Sequence, residues 1–228
     1  VSTAAPVLAV TRLLQAIEAK AAELASHLHP AWLALASQQL GPLASALTGD
    51  KPSPTLSRLI GEVYGIRWPA LPTLAHRVHR LVVLGRADVV RVLSTAALHA
   101  RRDSMRRCIG RDLRRLLVER VGEVAYRELL ARPGQGGLDA QPLEAAELHE
   151  DRLSTAGYRL LCEQGAWHSR QALAIARLSL APAALDGEHV TPLPSGRPDL
   201  DSFFDHLPHY FPEHAWLFGS DMDRALSA

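Results

Sequence analysis

Eight arginines crowd into twenty positions of this chain: Arg101, Arg102, Arg106, Arg107, Arg111, Arg114, Arg115 and Arg120, opposed there only by Asp103, Asp112 and Glu119, for a segment charge of about +5. A guanidinium is permanently charged and presents five N–H donors in a planar fork, so such a cluster suits carboxylate or phosphate oxygens. Three readings compete for Arg101, Arg102, Arg106, Arg107, Arg111, Arg114 and Arg115. They form a solvated helix face with pairs inside the chain, a docking surface for an acidic protein partner, or a nucleic-acid interface. Against the last stand only two lysines, a pI of 8.1 and no recognition-helix or RNP-type pattern.

The remaining candidates for chemistry are weaker. His27/His29, His76/His79 and His206/His209/His214 are histidine groups, but a metal site needs three or four converging ligands held by further hydrogen bonds. No metal is expected, and no cofactor. The chain has no Gly-Lys pair for a P-loop, no GxGxxG and no GxSxG, and His149-Glu150 lacks the second histidine of HExxH. Cys108 sits beside Arg106, Arg107 and Arg111, which either lower its pKa or flank an ordinary thiol. The pairs Glu144/Glu147 and Asp221/Asp223 read as solvated faces or helix caps. No catalytic residue is expected, and the reading is not an enzyme.

The elements that position these residues read as helices. There are 35 alanines, and β-branched residues are sparse and rarely alternate; Ala and Leu lose little side-chain entropy in a helix. The expectation is all-α: a single compact multi-helix domain over 1–182, and an irregular, aromatic-rich acidic extension over 183–228 that docks on the domain or on a partner. A first helix spans 7–27, with Val10, Leu13, Leu14, Ile17, Ala21 and Leu24 on one stripe. His29-Pro30 ends it and starts a second helix through about Leu47. Residues 48–55 are a loop, and a short helix follows to Val63. Leu74, Val78, Leu81 and Val82 form one stripe, Val89, Val92, Leu93 and Ala96 another, with the break at Gly85. Asp103 caps a short segment that Gly110 ends. Asp112 to Ala131 is the clearest helix. Residues 133–142 are a Gly-rich linker, Leu143–Leu148 a short helix, and Ser154–Glu163 with Ala166–Leu178 a pair turning at Gly165. An irregular arm begins at Ala181.

The net charge of +1 hides an asymmetry: +7 over 1–185 and −6 over 186–228. Six of the twelve aromatics lie in the last 43 residues, too many for a disordered tail. Two cysteines without a CxxC fit a reducing compartment. No run of 18 apolar residues suggests a span, and VSTAAPVLAV does not read as a signal peptide.

His29-Pro30-Ala31-Trp32-Leu33 resembles the HPSWL element near the N-terminus of the SctK/YscK family. The order Leu81 to Gly85, Leu93 to Leu98, Arg101-Arg102, Cys108 to Arg114 and Val121-Gly122-Glu123-Val124-Ala125-Tyr126 is similar to its helix, arginine, IDG, basic helix and LGxxAYxF. Arg177-Leu178-Ser179-Leu180-Ala181-Pro182 resembles its closing RLxLxxP. The resemblance covers about residues 27–182; Ala31, Cys108 and Arg111 depart from it, and it rests on no motif in 186–228. It implies a non-enzymatic, mostly helical cytoplasmic adaptor at the inner membrane of a bacterial type III secretion system. Its partners would be the ring protein SctD and the pod protein SctQ, and indirectly SctL and the SctN ATPase. Trp32 is assigned to the core. The alternative is a helical nucleic-acid-binding regulator using residues 101–120.

Overall fold

Prolines open four helices and glycines close several, as their backbone preferences dictate. The structure, a computed structural model, describes residues 4–47, 53–108, 110–132, 141–186 and 199–227. In chain order come α1 (Ala4–Ala22), α2 (Pro30–Leu40), α3 (Pro42–Leu47) and α4 (Pro54–Val63), then two 3-10 segments at Leu71–Ala75 and Arg77–Val83. Next are α5 (Arg86–Ala100), α6 (Arg102–Arg106), α7 (Arg111–Val121), α8 (Glu123–Ala131) and α9 (Glu150–Glu163). The last are α10 (Arg170–Arg177), α11 (Pro182–Asp186), α12 (Leu200–Tyr210), α13 (Ala215–Phe218) and α14 (Ser220–Ser227). Among the described residues there is no strand, so the all-α expectation holds.

Several boundaries differ from the sequence reading. The second helix stops at Gly41, whose φ of 58° an L-residue rarely adopts, and α3 begins anew at Pro42. The long helix expected over 112–131 is two helices. Gly122 has φ of 89°, and a β-carbon there would fall 2.8 Å from Arg91 Nη2. The stripe at 74–82 forms tight 3-10 turns rather than an α-helix, started by Pro72. Residues 143–148 form no helix, with turns at 145–148 only. The acidic end is more regular than its composition implies: Asp199 caps α12 by accepting the Ser202 N–H at 2.9 Å, and Phe203, Phe204, Leu207 and Tyr210 bury one side. The loop, linker and arm expected from 48, 133 and 181 fall largely on 48–52, 133–140 and 187–198, outside the described residues.

The chain divides into two compact units, one from 1–89, 167–185 and 219–228, the other from 90–166 and 186–218. In the first, Leu24, Ala25, Leu28, Ala36, Leu56, Ile60 and Leu178 form a core cluster, with Trp32 and Tyr64 packed against it. The His29 N–H donates to Leu178 O at 2.8 Å and Trp32 Nε1 to Leu180 O at 2.9 Å. Arg177 lies over the Trp32 ring at 5.7 Å. Arg80 is fully buried, donating to Leu74 O and Ala75 O and pairing with Asp223 at 2.7 Å. Lys20 is also buried, with its Nζ on Leu84 O. Burial pushes its pKa down to about 7, while Asp88 pulls the other way.

In the second unit every residue from Val92 to Ala100 is buried. A helix buried on all sides needs neighbours all round. One of them, α9, comes so close that a β-carbon on Gly157 would lie 1.8 Å from Leu93 O. The C-terminal aromatics complete this unit: Phe203 meets His99 edge-on at 5.4 Å and stacks on Tyr210 at 6.0 Å.

Two outcomes follow from these contacts. Gly157→Ala forces two backbones apart, and because a carbonyl cannot rotate aside as a side chain does, the cost reaches or exceeds about 3 kcal/mol. Urea unfolding followed by circular dichroism reads it, and a wild-type midpoint for the variant contradicts the packing. For Lys20, the unfolded chain holds the proton up to about pH 10, whereas the folded amine releases it near 7. The unfolded state therefore binds more protons between those values, and stability rises with pH across them. Lys20→Met should remove that slope and stabilise the protein at neutral pH and below, as measured by denaturation midpoints against pH.

Candidate functional site

The second unit carries all seven arginines singled out in the sequence, and it sorts them. Arg101, at the end of α5, donates Nη1 to Glu147 Oε1 at 2.8 Å, with side chains only 15 % and 22 % exposed. Burial alone would raise the Glu147 carboxyl, but Arg101 and the Glu144 N–H hold it below its ordinary range. Arg102 turns inward, its Nη1 2.6 Å from His99 Nε2. Burial lowers its pKa. These two arginines are structural. Arg120 joins them, donating Nε to Leu148 O at 3.0 Å and facing Glu119 and Glu150.

The others face solvent. Arg106 is exposed and donates Nη2 to Leu130 O at 2.9 Å, and Arg107 is exposed at the end of α6. On α7, Leu117 and Val121 are buried one turn apart, which turns Arg111 and Arg115 outward. Arg115 pairs loosely with Asp112 at 3.5 Å, its side chain 77 % exposed. Arg114 lies over the Tyr126 ring at 5.7 Å, a cation–π contact that leaves its outer N–H groups to solvent. The working cationic face is therefore Arg106, Arg107, Arg111, Arg114 and Arg115. A cleft of about 490 Å3 opens between α7 and the start of α9, lined by Leu116, Arg120, Ala145, Ala146, Leu148 and Arg152.

Three acidic C-terminal residues pair outside the cluster: Glu213 with Arg91 at 3.2 Å, Asp223 with Arg77 and Arg80, and Asp221 with Arg224. In Asp223, burial alone would raise the carboxyl, but the hydrogen bonds and charges of Arg77 and Arg80 keep it low.

Among the described residues, no group of three or more His, Cys, Asp or Glu side chains is placed to hold a metal ion. His29 instead caps α2, its Nδ1 accepting the Ala31 N–H at 3.1 Å. His79 accepts the His168 N–H on Nε2 at 3.0 Å, so its Nδ1 donates to Thr73 O at 2.7 Å, and both ring nitrogens are used. His206 sets Nδ1 against Ser202 O. Cys108 differs from the activated thiol that its arginine neighbours allowed. Burial raises its pKa, with Arg101 opposing, and its Sγ faces the Ser104 and Leu143 carbonyls.

Sequence spacing missed the inward set formed by Arg102 with His99, Tyr210 and Arg132, because Tyr210 lies more than a hundred positions from Arg102. Runs of charge carry no information about such partners.

The fold and the surface define an all-helical protein with a cationic face; no helix among the described residues is long and apolar enough to cross a membrane. The chain belongs to the bacterial type III secretion protein (HrpB4) family, whose model matches residues 4–213. No curated protein and no solved structure matches it.

The sorting of arginines has a direct check. Arg101→Ala leaves Glu147 mostly buried without its cation and should cost about 1–3 kcal/mol. Arg111→Ala should stay within about 0.5 kcal/mol of wild type. Equal urea midpoints for the two variants would contradict the assignment.

Proposed function

We propose that this protein is a non-enzymatic adaptor of the type III secretion sorting platform, of the SctK kind, working at the cytoplasmic face of the bacterial inner membrane. It links the cytoplasmic domain of the ring protein SctD to the pod protein SctQ, and through SctQ to SctL and the SctN ATPase. The observation that carries the reading is the family match over residues 4–213, joined to an exposed arginine face on α6 and α7. Family membership supports a role in secretion. The exposed charge supports docking, because guanidinium groups at a rim accelerate encounter with an acidic surface and set its orientation. The cleft beside α7 offers such a partner the apolar side chains of Leu116 and Leu148 next to Arg120 and Arg152.

The test is reversal of Arg107, Arg111 and Arg115 to Glu, followed by pull-down of purified SctD cytoplasmic domain and SctQ at low and moderate salt. The variant should keep wild-type circular dichroism and lose affinity for one of the two partners by about tenfold or more, with wild-type binding to that partner falling as salt rises. Unchanged binding of both removes the docking face. If neither protein binds the wild type and nucleic acid does, with a steep salt dependence, the regulator reading replaces the adaptor.

A further inference from the structure

A second set of cations lies inside the second unit, behind the exposed face. Arg102 brings Nη1 to 2.6 Å from His99 Nε2. An arginine only donates, so Nε2 accepts and the imidazole proton sits on Nδ1. Nδ1 is 2.9 Å from Tyr210 Oη and therefore donates to it. This order leaves the Tyr210 O–H pointing away from His99 and in need of an acceptor. Burial, reinforced by the charges of Arg102 and Arg132, pushes the His99 pKa down to about 3, so the ring stays neutral and the order of donors persists at physiological pH.

Arg132, just past α8, places its guanidinium over the Tyr210 ring at 5.6 Å. The Nε–H groups of Arg102 and Arg132 are both buried and, among the described residues, neither has a hydrogen-bond partner, while the Arg132 side chain also hydrogen-bonds the Tyr210 hydroxyl. The exposed Arg106 adds its charge to theirs. Among the described residues, Glu128 reaches Arg132 only at 3.9 Å, and Asp103 offsets part of the charge on Arg102. An unmet buried donor is destabilising, and repulsion among three guanidiniums adds to it. A bound anion relieves both.

We propose that Arg102, Arg106, Arg132 and Tyr210 form a binding site for a tetrahedral oxyanion, a phosphate group either free or carried as an ester. A carboxylate offers two oxygens in one plane, whereas the donors here belong to three separate guanidiniums and a phenol. A phosphate group presents three oxygens in three directions and takes charge-assisted bonds from several arginines. Arg106 is exposed, and Arg102 and Arg132 are half-buried, so part of each guanidinium-bearing side chain meets solvent. The proposal is independent of the adaptor reading: it concerns a small anion, it shares only Arg106 with the exposed face, and the docking test leaves Arg106 in place.

Thermal unfolding of the full chain tests it, with inorganic phosphate and, separately, O-phosphoserine titrated against chloride at matched ionic strength. Binding to the folded state raises the wild-type Tm with the logarithmic dependence that ligand linkage requires. The general salting effect of phosphate is common to all variants and is subtracted by comparison. Arg132→Gln should lose the specific shift and Arg111→Gln, on α7, should keep it. If Arg132→Gln does not fold by circular dichroism, Arg106→Gln, altered only at an exposed side chain, should weaken the apparent affinity by about tenfold. A larger effect of phosphoserine assigns an esterified group, and a larger effect of phosphate assigns the free ion. No wild-type shift beyond chloride, or the same shift in wild type and the folded cluster variant, overturns the site.

Discussion

The carbonyl of Leu93 occupies the space where any side chain on residue 157 would have to stand. This one approach sets the terms for the second unit. It brings α9 into backbone contact with α5, and it is one reason α5 is covered on every side from Val92 to Ala100. A fully covered helix has no room for charge, so the basic residues that follow are displaced to α6 and α7 or must find internal partners. Arg101 finds Glu147 and Arg102 finds His99. The exposed arginines are what remains after those demands are met.

The first unit is held by a different logic, in which cations and ring N–H groups close on backbone carbonyls. The stretch that begins with His29-Pro30-Ala31-Trp32 meets the stretch that ends with Leu178-Ser179-Leu180 through two hydrogen bonds, and Arg177 covers the indole. Tyr64 donates its hydroxyl to Trp32 O, edge-on to the same ring. Trp32 is thus a fastener between distant segments, half-buried rather than central. Arg80 has zero exposure in its ion pair with Asp223, and the Leu74 and Ala75 carbonyls also accept from it. Removing one partner from such a set leaves a desolvated charge, which is costly even where the pair itself adds little net stability.

Helix content and most helix starts were legible in the sequence, because alanine-rich composition and Pro at the first turn act locally. The break at Gly122 was not. The apolar positions Leu117, Val121 and Leu129 keep helical spacing straight through it, and the deciding facts are a positive φ and the nearness of Arg91. The turns at 71–83 escaped for a similar reason: Leu74, Val78, Leu81 and Val82 fit an α period equally well. The arginine cluster was visible as charge but not as a site. Arg102 and Arg107 look alike in sequence, and only Tyr210 and His99, brought in by α12 and α5, separate an inward guanidinium from an outward one. The acidic C-terminal end was legible as unusual through its aromatics. That its carboxylates would choose Arg77, Arg80 and Arg91 was not, since pairing at that range is a property of the packed helices.

The division into two units also distributes the chromophores unevenly. Trp32, Trp68 and Trp167 belong to the first, and only Trp216 to the second. Indole emission from the intact chain is therefore weighted toward the first unit, while far-ultraviolet dichroism sums the helices of both. A mismatch between the two signals would mean that each unit melts on its own schedule, and a single Trp216→Phe substitution would make the emission a report on the first unit alone.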